Sequence, residues 1–292
     1  MQEIQFSGSY VALITPFKNG AVDEEALYRL VEWHINNGTD GVVPMGTTGE
    51  SSTVTAEEHK QVVEVVVKAV AGRIPVIAGA GSNNPIEALD FAQHAQSVGA
   101  NGVLCVAGYY NRPSQEGLYQ HFKMIHDNSD IPMIIYNIPP RTVVDITPKT
   151  MARLADLPRI VGVKDATGDL TRISQERQSI EGPFCYFSGD DMTAVAYNAL
   201  GGSGCISVTA NVFPRLISAL QDACLSRDYH RALQYHDQLM PVHQALFEEP
   251  SPSGVKFAVS YLGLCDDEVR LPIVGVSTGL QSTIRRCIDE IR

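Results

Sequence analysis

The chain has 292 residues, of which 44% are hydrophobic, and a formal net charge of −11. This length fits one α/β barrel or two smaller domains, and the hydrophobic content can fill a large core. The negative charge argues against a nucleic-acid-binding surface. The sequence contains no uninterrupted run of about eighteen apolar residues, so it predicts no membrane-spanning helix.

The N-terminal residues 1–6 lack the basic segment and the long apolar core of a signal peptide, so we expect a cytoplasmic protein. The six cysteines form no CxxC pair and the eight histidines form no HExxH motif. His236 and His243 have the spacing to share a helix face, but without a neighbouring carboxylate they make a poor metal site. We therefore expect reduced cysteines and no bound metal.

A repeating pattern of short apolar run, polar turn and amphipathic stretch extends over the first 220 residues. The apolar runs predict eight strands, at 10–14, 41–45, 74–79, 102–106, 131–136, 160–164, 184–187 and 204–208. Helices are predicted between them, with a capping box at Thr55 and Glu58 and prolines in two first turns, at Pro85 and Pro148. Eight such units predict a closed (β/α)8 barrel, an α/β fold. A doubly wound sheet is disfavoured because no GxGxxG motif follows the first strand.

The chain from residue 214 onward contains no clear strand. Helical stretches are predicted at 216–225, 229–246, 255–262 and 275–291. We therefore predict a barrel at 1–220 that carries the functional site, and a helical extension at 221–292 packed on it. The extension also offers a surface for an oligomer interface.

The sixth predicted strand is an apolar, largely β-branched run that ends in Lys164. Lysine is among the residues least often fully buried, so a lysine at the mouth of a barrel strand indicates a chemical role. A neutral lysine amine attacks a carbonyl carbon and forms a Schiff base. The alternative is a lysine that extends to solvent at the rim or pairs with Asp165.

Candidate functional residues follow several predicted strands, where the loops of a barrel converge on one face. They are Thr47, Thr48, Tyr109, Tyr110, Tyr136, Arg141, Lys164 and Gly189. Each also has a structural explanation: Thr47 or Thr48 as a helix cap, Tyr136 as a strand aromatic and Arg141 as a solvated loop charge. Together these residues supply an amine, hydroxyl groups for proton transfer and a cation for a carboxylate.

The loops after strands seven and eight do not have the character of a phosphate site. Barrels that bind phosphate usually use these two loops. Here Asp190 and Asp191 follow strand seven and would repel phosphate, and the glycine-rich run 201–204 lies before strand eight. The same argument disfavours pyridoxal phosphate as a partner of the lysine.

Three motifs resemble those of the Schiff-base aldolases of the N-acetylneuraminate lyase and dihydrodipicolinate synthase family, and the resemblance covers essentially the whole chain. Gly46-Thr47-Thr48-Gly49-Glu50 is similar to the family's pyruvate-carboxylate loop. Tyr136-Asn137-Ile138-Pro139 is similar to its tyrosine motif, and Gly162-Val163-Lys164-Asp165 is similar to its Schiff-base strand. Two further residues resemble the synthase branch rather than the sugar-acid lyases, namely Tyr110 and Arg141. One departure is Gly108, where the family more often has proline.

The resemblance implies an aldol condensation of pyruvate with L-aspartate 4-semialdehyde followed by ring closure, the first committed step of diaminopimelate and L-lysine biosynthesis. Pyruvate would bind through its carboxylate at Thr47 and Thr48. It would then form a covalent Schiff base with Lys164, so no cofactor or metal is expected. Arg141 resembles the arginine that receives the carboxylate of the semialdehyde.

The remaining roles follow from the same resemblance. Tyr136, Thr47 and Tyr110 are similar to the family's proton relay, and Gly189 and Ile206 would make backbone contacts near the pyruvate carbonyl. Because Tyr110 would reach a neighbouring subunit, the resemblance implies a homotetramer built from two tight dimers.

Feedback inhibition by L-lysine is a further implication of the resemblance. The matching residues are Ser51, His59, Asn83, Glu87 and Tyr109. Ala56 departs from the enteric bacterial pattern, which has histidine there, and leaves the strength of inhibition open. The alternative is that His59 and Glu87 are ordinary helix-surface residues.

Two other functions fit parts of the sequence. A sibling pyruvate aldolase would act on a sugar acid such as N-acetylneuraminate or 2-keto-3-deoxygluconate, and Arg141 and Tyr110 count against it. A non-catalytic barrel would sense lysine or pyruvate, but such a sensor has no need of the reactive amine of Lys164. Neither a nucleic acid nor a membrane is expected as a partner.

Overall fold

The computed structural model describes residues 6–292. Residues 1–5, on which most of the signal-peptide argument depends, lie outside the described residues. Eight parallel strands form one sheet: β1 (Gly8–Ala12), β2 (Gly41–Val43), β3 (Ile77–Gly79), β4 (Gly102–Val106), β5 (Met133–Asn137), β6 (Ile160–Asp165), β7 (Cys185–Ser188) and β8 (Gly204–Ser207).

The sheet closes on itself. Its strand order is β2-β1-β8-β7-β6-β5-β4-β3, and a parallel bridge between Val42 and Val76 joins the two end strands. The predicted α/β barrel is thus confirmed. The third strand is shorter than predicted, and begins at Ile77 rather than at Ile74. Pro75 lies between them and has no N–H to donate to a strand ladder, although its carbonyl accepts from Val42 at 3.0 Å.

Eight of the described helices connect the strands, and four more follow β8. They are α1 (Glu24–Asn36), α2 (Ala56–Val70), α3 (Pro85–Val98), α4 (Gln115–Asp127), α5 (Pro139–Thr142), α6 (Pro148–Ala155), α7 (Thr171–Ser179), α8 (Ala194–Ala199), α9 (Pro214–Leu225), α10 (Tyr229–Ala245), α11 (Ser253–Tyr261) and α12 (Thr278–Ile291). The capping box of α2 is present, because Thr55 Oγ1 accepts from the Glu58 N–H and the Glu58 carboxylate accepts from the Thr55 N–H.

Three short elements were not predicted. A two-stranded hairpin pairs Phe17–Lys18 with Ala21–Val22 and buries Phe17 completely. The single turn α5 follows β5 and contains Arg141, and a 3-10 turn, Thr209–Asn211, follows β8. Each is too short to leave a periodic pattern in the sequence.

The C-terminal helices pack against one another and against the barrel. Helix α9 contacts both β1 and α10. The boundary that we predicted after residue 220 falls inside α9, so this helix spans both predicted units. Within residues 6–292, no helix combines the length and apolar character required to cross a membrane.

Candidate active site

Lys164 and Tyr136 lie side by side on neighbouring strands. They are opposite each other in the parallel register of β5 and β6, so both side chains extend from the same face of the sheet. The Lys164 Nζ atom is 4.3 Å from the centre of the Tyr136 ring, and the residues are only 6% and 7% exposed. Lys164 makes no ion pair with any residue in 6–292, so the predicted alternative of a pair with Asp165 is not what the structure contains.

Gly189 directly follows β7, and Ile206 lies on β8; these are the next two strands around the barrel after β6. A Cβ atom on Gly189 would come within 3.1 Å of Lys164 Cε and 2.9 Å of Ala166 Cβ. A residue with a side chain at position 189 would therefore collide with the Lys164 side chain. Ile206 is buried on β8 opposite Tyr10 of β1.

The loop 46–50 follows β2 and is tightly folded. Gly49 and Glu50 donate backbone hydrogen bonds to Gly46 and Thr47, both at 3.1 Å, and Thr15 Oγ1 donates to the Gly49 carbonyl at 2.7 Å. Thr48 is buried and Thr47 is exposed. The two threonines thus lie in a loop whose backbone is held by its own hydrogen bonds and by the hydrogen bond from Thr15.

The segment after β4 presents Tyr110 to the solvent. Tyr110 is 91% exposed and has a positive φ of 70°, an unusual backbone conformation for a large residue. The preceding Tyr109 is half-buried, and its carbonyl accepts a 3.3 Å hydrogen bond from Asn83 Nδ2. No hydrogen bond joins the hydroxyl groups of Tyr110, Tyr136 and Thr47 within the described chain, so a relay through these three groups stays a prediction.

Arg141 is exposed on α5, directly after β5. Its backbone N–H donates to the Ile138 carbonyl at 3.0 Å. Its guanidinium forms no ion pair with any residue that the structure describes. The cation is therefore available to an external anion near the carboxyl end of the barrel.

The five residues of the predicted effector site make separate contacts in the described chain. Asn83 contacts Tyr109, as described above, and Glu87 accepts a 2.5 Å hydrogen bond from Ser82. His59 is buried in α2 and stacks on Phe91 of α3, with ring centres 3.8 Å apart. Burial lowers the pKa of His59 to about 4, so the imidazole is neutral near pH 7. Ser51 is half-buried and donates its N–H to the Gly46 carbonyl.

Behind the lysine strand lies a group of charges that we did not predict. We call it the acidic cluster; it consists of Asp145, Asp165, Arg172 and Glu176. Arg172 forms a 2.9 Å ion pair with Asp145 and lies 3.4 Å from Glu176. Burial, with the nearby Asp165 charge, raises the pKa of Glu176 to about 8, and burial also raises the pKa of Asp165.

The acidic cluster is connected to the residues that follow the tyrosine and the lysine. Asn137 Nδ2 donates to Asp145 Oδ1 at 2.9 Å, and Asn137 is opposite Asp165 in the strand register. Because side chains alternate along a strand, Asn137 and Asp165 face away from Tyr136 and Lys164. The only local sequence signal was the i, i+4 spacing of Arg172 and Glu176 on one helix face.

Asp191 has a different environment from the one that we predicted for the strand-seven loop. It is buried, and its carboxylate accepts hydrogen bonds from Ser207 Oγ and from the backbone N–H groups of Val208 and Thr209. These donors fix the turn after β8. The carboxylate is therefore a structural cap for this turn, and its effect on phosphate binding stays a prediction.

Glu50 and Lys256 were not predicted as partners. They form a buried ion pair between the loop 46–50 and α11. The signal was a single lysine among the apolar residues of 255–259. No group of three or more His, Cys, Asp or Glu side chains within residues 6–292 has an arrangement suited to a metal ion.

Known proteins resemble the chain over nearly its full length. It is 58% identical over 279 residues to the 4-hydroxy-tetrahydrodipicolinate synthase of Parvibaculum lavamentivorans, covering 96% of each chain. It is 59% identical over 284 residues to the synthase of the same name from Ruegeria pomeroyi, covering 97% of each. The crystal structure of dihydrodipicolinate synthase from Aquifex aeolicus superimposes with a TM-score of 0.96, at 47% identity and 98% coverage of both chains.

Three other solved structures bear on ligands and assembly. Dihydrodipicolinate synthase from Acinetobacter baumannii, complexed with pyruvate, is 42% identical with a TM-score of 0.95 and 98% coverage of both chains. DHDPS from Cyanidioschyzon merolae with lysine bound is 34% identical, with a TM-score of 0.95 and coverage of 98% and 99%. A monomeric dihydrodipicolinate synthase variant is 39% identical, with a TM-score of 0.95 and coverage of 98% and 97%.

The family assignment follows from these findings. The sequence pattern of the dihydrodipicolinate synthetase family matches residues 5–291. The relatives share more than half of their residues with the chain, and the barrel is the same. The chain therefore belongs to the dihydrodipicolinate synthetase family.

Proposed function

We propose that the chain is a 4-hydroxy-tetrahydrodipicolinate synthase, an enzyme that condenses pyruvate with L-aspartate 4-semialdehyde through a Schiff base on Lys164. The observation that carries the proposal is the buried Lys164 amine, 4.3 Å from the centre of the Tyr136 ring at the carboxyl end of the barrel strands. The names of the relatives at 58% and 59% identity, both 4-hydroxy-tetrahydrodipicolinate synthase, support this activity.

The first half of the reaction activates pyruvate. The Lys164 amine attacks the ketone carbon, and the carbonyl oxygen leaves as water while the iminium forms. The iminium withdraws electrons from the adjacent methyl group, which loses a proton and becomes an enamine. The Tyr136 ring lies beside the amine, and we assign proton transfer to its hydroxyl group. The lysine supplies the electron sink, so this chemistry requires no separate cofactor.

The loop 46–50 is assigned to the pyruvate carboxylate. Its backbone is fixed by the internal hydrogen bonds and by Thr15, so donors in the loop need little reorganisation when an anion binds. Thr47 and Thr48 contribute the hydroxyl groups. The relative from Acinetobacter baumannii, solved with pyruvate, supports this ligand.

The second half of the reaction joins the two substrates. The enamine carbon attacks the aldehyde carbon of the semialdehyde and forms a carbon–carbon bond. The amine of the semialdehyde then attacks the iminium and displaces Lys164, which closes the ring and regenerates the free lysine. Arg141 is exposed near this face without an ion-pair partner in the described chain, and we assign the semialdehyde carboxylate to it.

We assign Tyr110 to the active site of a neighbouring subunit in a homotetramer of two tight dimers. Tyr110 is 91% exposed, so its ring is available to a neighbouring chain. Sedimentation of the chain tests this assembly. A tetramer is expected, and a fully active monomer contradicts the assignment.

We assign L-lysine to the site formed by Ser51, His59, Asn83, Glu87 and Tyr109. Glu87 would pair with an ammonium group, and the neutral His59 would contribute a hydrogen bond rather than a charge. The lysine-bound relative supports this ligand. Activity should fall at saturating L-lysine, and Glu87→Gln should weaken the inhibition; activity that is unaffected by L-lysine contradicts the assignment.

Borohydride trapping tests the Schiff base directly. Reduction in the presence of pyruvate should add one pyruvate-derived group to the chain by intact mass, and Lys164→Ala should abolish the addition. Lys123→Ala is a matched control, because the Lys123 side chain lies on α4, is 39% exposed and pairs with Asp127, so trapping should stay unchanged. Undiminished trapping in the Lys164→Ala protein would contradict the proposal.

A further inference from the structure

A fully buried ion pair joins the C-terminal extension to the loop 46–50. Lys256 lies on α11, and its side chain is 0% exposed, while that of Glu50 is 2% exposed. The Lys256 Nζ atom is 2.5 Å from Glu50 Oε1 and 4.0 Å from the centre of the Phe17 ring. Glu50 is the only carboxylate in the described chain with which Lys256 forms an ion pair.

The second oxygen of Glu50 is held by the same part of the chain. Arg270 donates its backbone N–H to Glu50 Oε2 at 3.0 Å. The Arg270 guanidinium makes two 2.6 Å hydrogen bonds to Glu58, which belongs to the capping box of α2. Both oxygens of Glu50 are thus anchored by residues that are more than 200 positions away, as the separations of 206 and 220 show.

Glu50 is the last residue of the loop that carries Thr47 and Thr48. Its N–H donates to the Thr47 carbonyl at 3.1 Å, and it has a positive φ of 57°. The preceding Gly49 has little space to move, because a Cβ atom there would lie 3.0 Å from the Met45 nitrogen. A shift of the Glu50 side chain would therefore be transmitted to the threonines through this short, closed backbone.

We infer that Lys256 is a positioning residue for pyruvate, which acts through Glu50 to hold Thr47 and Thr48 in the geometry that binds the carboxylate. This inference rests on the proposed function of the loop. It gives the helical extension a part in the active site although the extension follows the last barrel strand. Stability alone does not require such a pair, because buried ion pairs can often be replaced by apolar residues without loss.

The test compares pyruvate binding with thermal stability in three variants. Lys256→Met removes the cation at similar volume, and the double variant Lys256→Met/Glu50→Gln also removes the unpaired carboxylate. Val242→Ala is the control, because it removes buried apolar contacts from α10 in the same extension. Pyruvate affinity is measured by the concentration dependence of borohydride trapping, together with KM and kcat.

Lys256→Met should raise KM for pyruvate and the trapping midpoint at least about tenfold, since small misplacements of binding groups have large effects. The double variant should regain most of the lost melting temperature but keep the raised KM. Val242→Ala should lower the melting temperature with KM unchanged. The inference is overturned if KM for pyruvate rises in every variant in proportion to the loss of melting temperature. It is also overturned if Lys256→Met keeps the wild-type KM for pyruvate. A wild-type chain that fails to trap pyruvate overturns the proposed function instead.

Discussion

Two groups of buried and partly buried charges lie against the barrel, and they differ in how the charges are matched. The first, which we call the balanced cluster, has two acids and two bases beside the loop 46–50: Glu50, Glu58, Lys256 and Arg270. The acidic cluster outside β6 has three acids and one base. The first group surrounds the proposed pyruvate loop, and the second lies behind the lysine strand.

This difference in charge has a physical consequence. In the balanced cluster, each carboxylate has a cation within 2.6 Å. In the acidic cluster, the single Arg172 is shared, and burial raises the pKa of both Glu176 and Asp165. Matched charges fix a geometry, whereas unmatched buried acids take up protons. Only the second group should make stability depend on pH near neutrality.

Breaking the balanced cluster should have the largest effect on stability. Lys256→Met leaves the buried Glu50 carboxylate without its cation, which typically costs about 3–5 kcal/mol of unfolding free energy. Denaturant unfolding at pH 7 measures the loss. A loss below about 1 kcal/mol, at the level of an exposed pair, would show that the pair is not effectively buried.

Removing the single base of the acidic cluster should have a smaller effect at low pH. Arg172→Met is expected to cost about 1–3 kcal/mol at pH 6, where Glu176 is protonated and needs no cation. The loss should increase at pH 9, because Glu176 is then charged. Unfolding curves at the two pH values test this, and equal losses at both would contradict the raised pKa.

Glu176→Gln tests how much the protonation of Glu176 contributes to stability. The pKa of Glu176 is raised from 4.5 to about 8, so its contribution to stability is complete below pH 4.5 and is lost as the pH rises through 8. Wild-type stability should therefore decline between pH 5 and pH 8 by at least about 1 kcal/mol relative to the glutamine variant. Parallel stability curves for the two proteins would exclude this assignment.

The smallest effect is expected at the rim of the balanced cluster. The side chain of Glu58 is 23% exposed, and that of Arg270 is 18% exposed. Glu58→Gln keeps the hydrogen-bonding shape and should cost below about 1 kcal/mol at pH 7. A cost as large as that of Lys256→Met would mean that burial does not distinguish the two pairs of the cluster.

Local sequence patterns predicted those parts of the fold that depend on local physics. The strand 102–106 has its predicted bounds, and the capping box at Thr55 and Glu58 forms as the spacing indicates. The position of Lys164 beside Tyr136 followed from the barrel alone, because strands five and six must be neighbours. These features depend on periodicity, capping and chain order, all of which a single sequence contains.

Contacts between distant segments were not predictable in this way. Lys256 and Glu50 are 206 positions apart, and only the folded chain brings them together. The cap that Asp191 provides for the turn after β8 depends on the orientation of one side chain, which local sequence patterns do not predict. The roles assigned to the site residues, including the proton transfer assigned to Tyr136, rest largely on family resemblance. All of them, that of Lys164 included, stay predictions until variants are measured.

Turnover with alternative aldehydes tests the central claim most directly. Pyruvate consumption should occur with L-aspartate 4-semialdehyde and not with sugar aldehydes. Arg141→Ala should lose this turnover while borohydride still traps pyruvate on Lys164, because the arginine acts only on the second substrate. Turnover confined to sugar aldehydes would contradict the account: the barrel and its lysine would remain those of an aldolase, but the substrate would be a sugar acid.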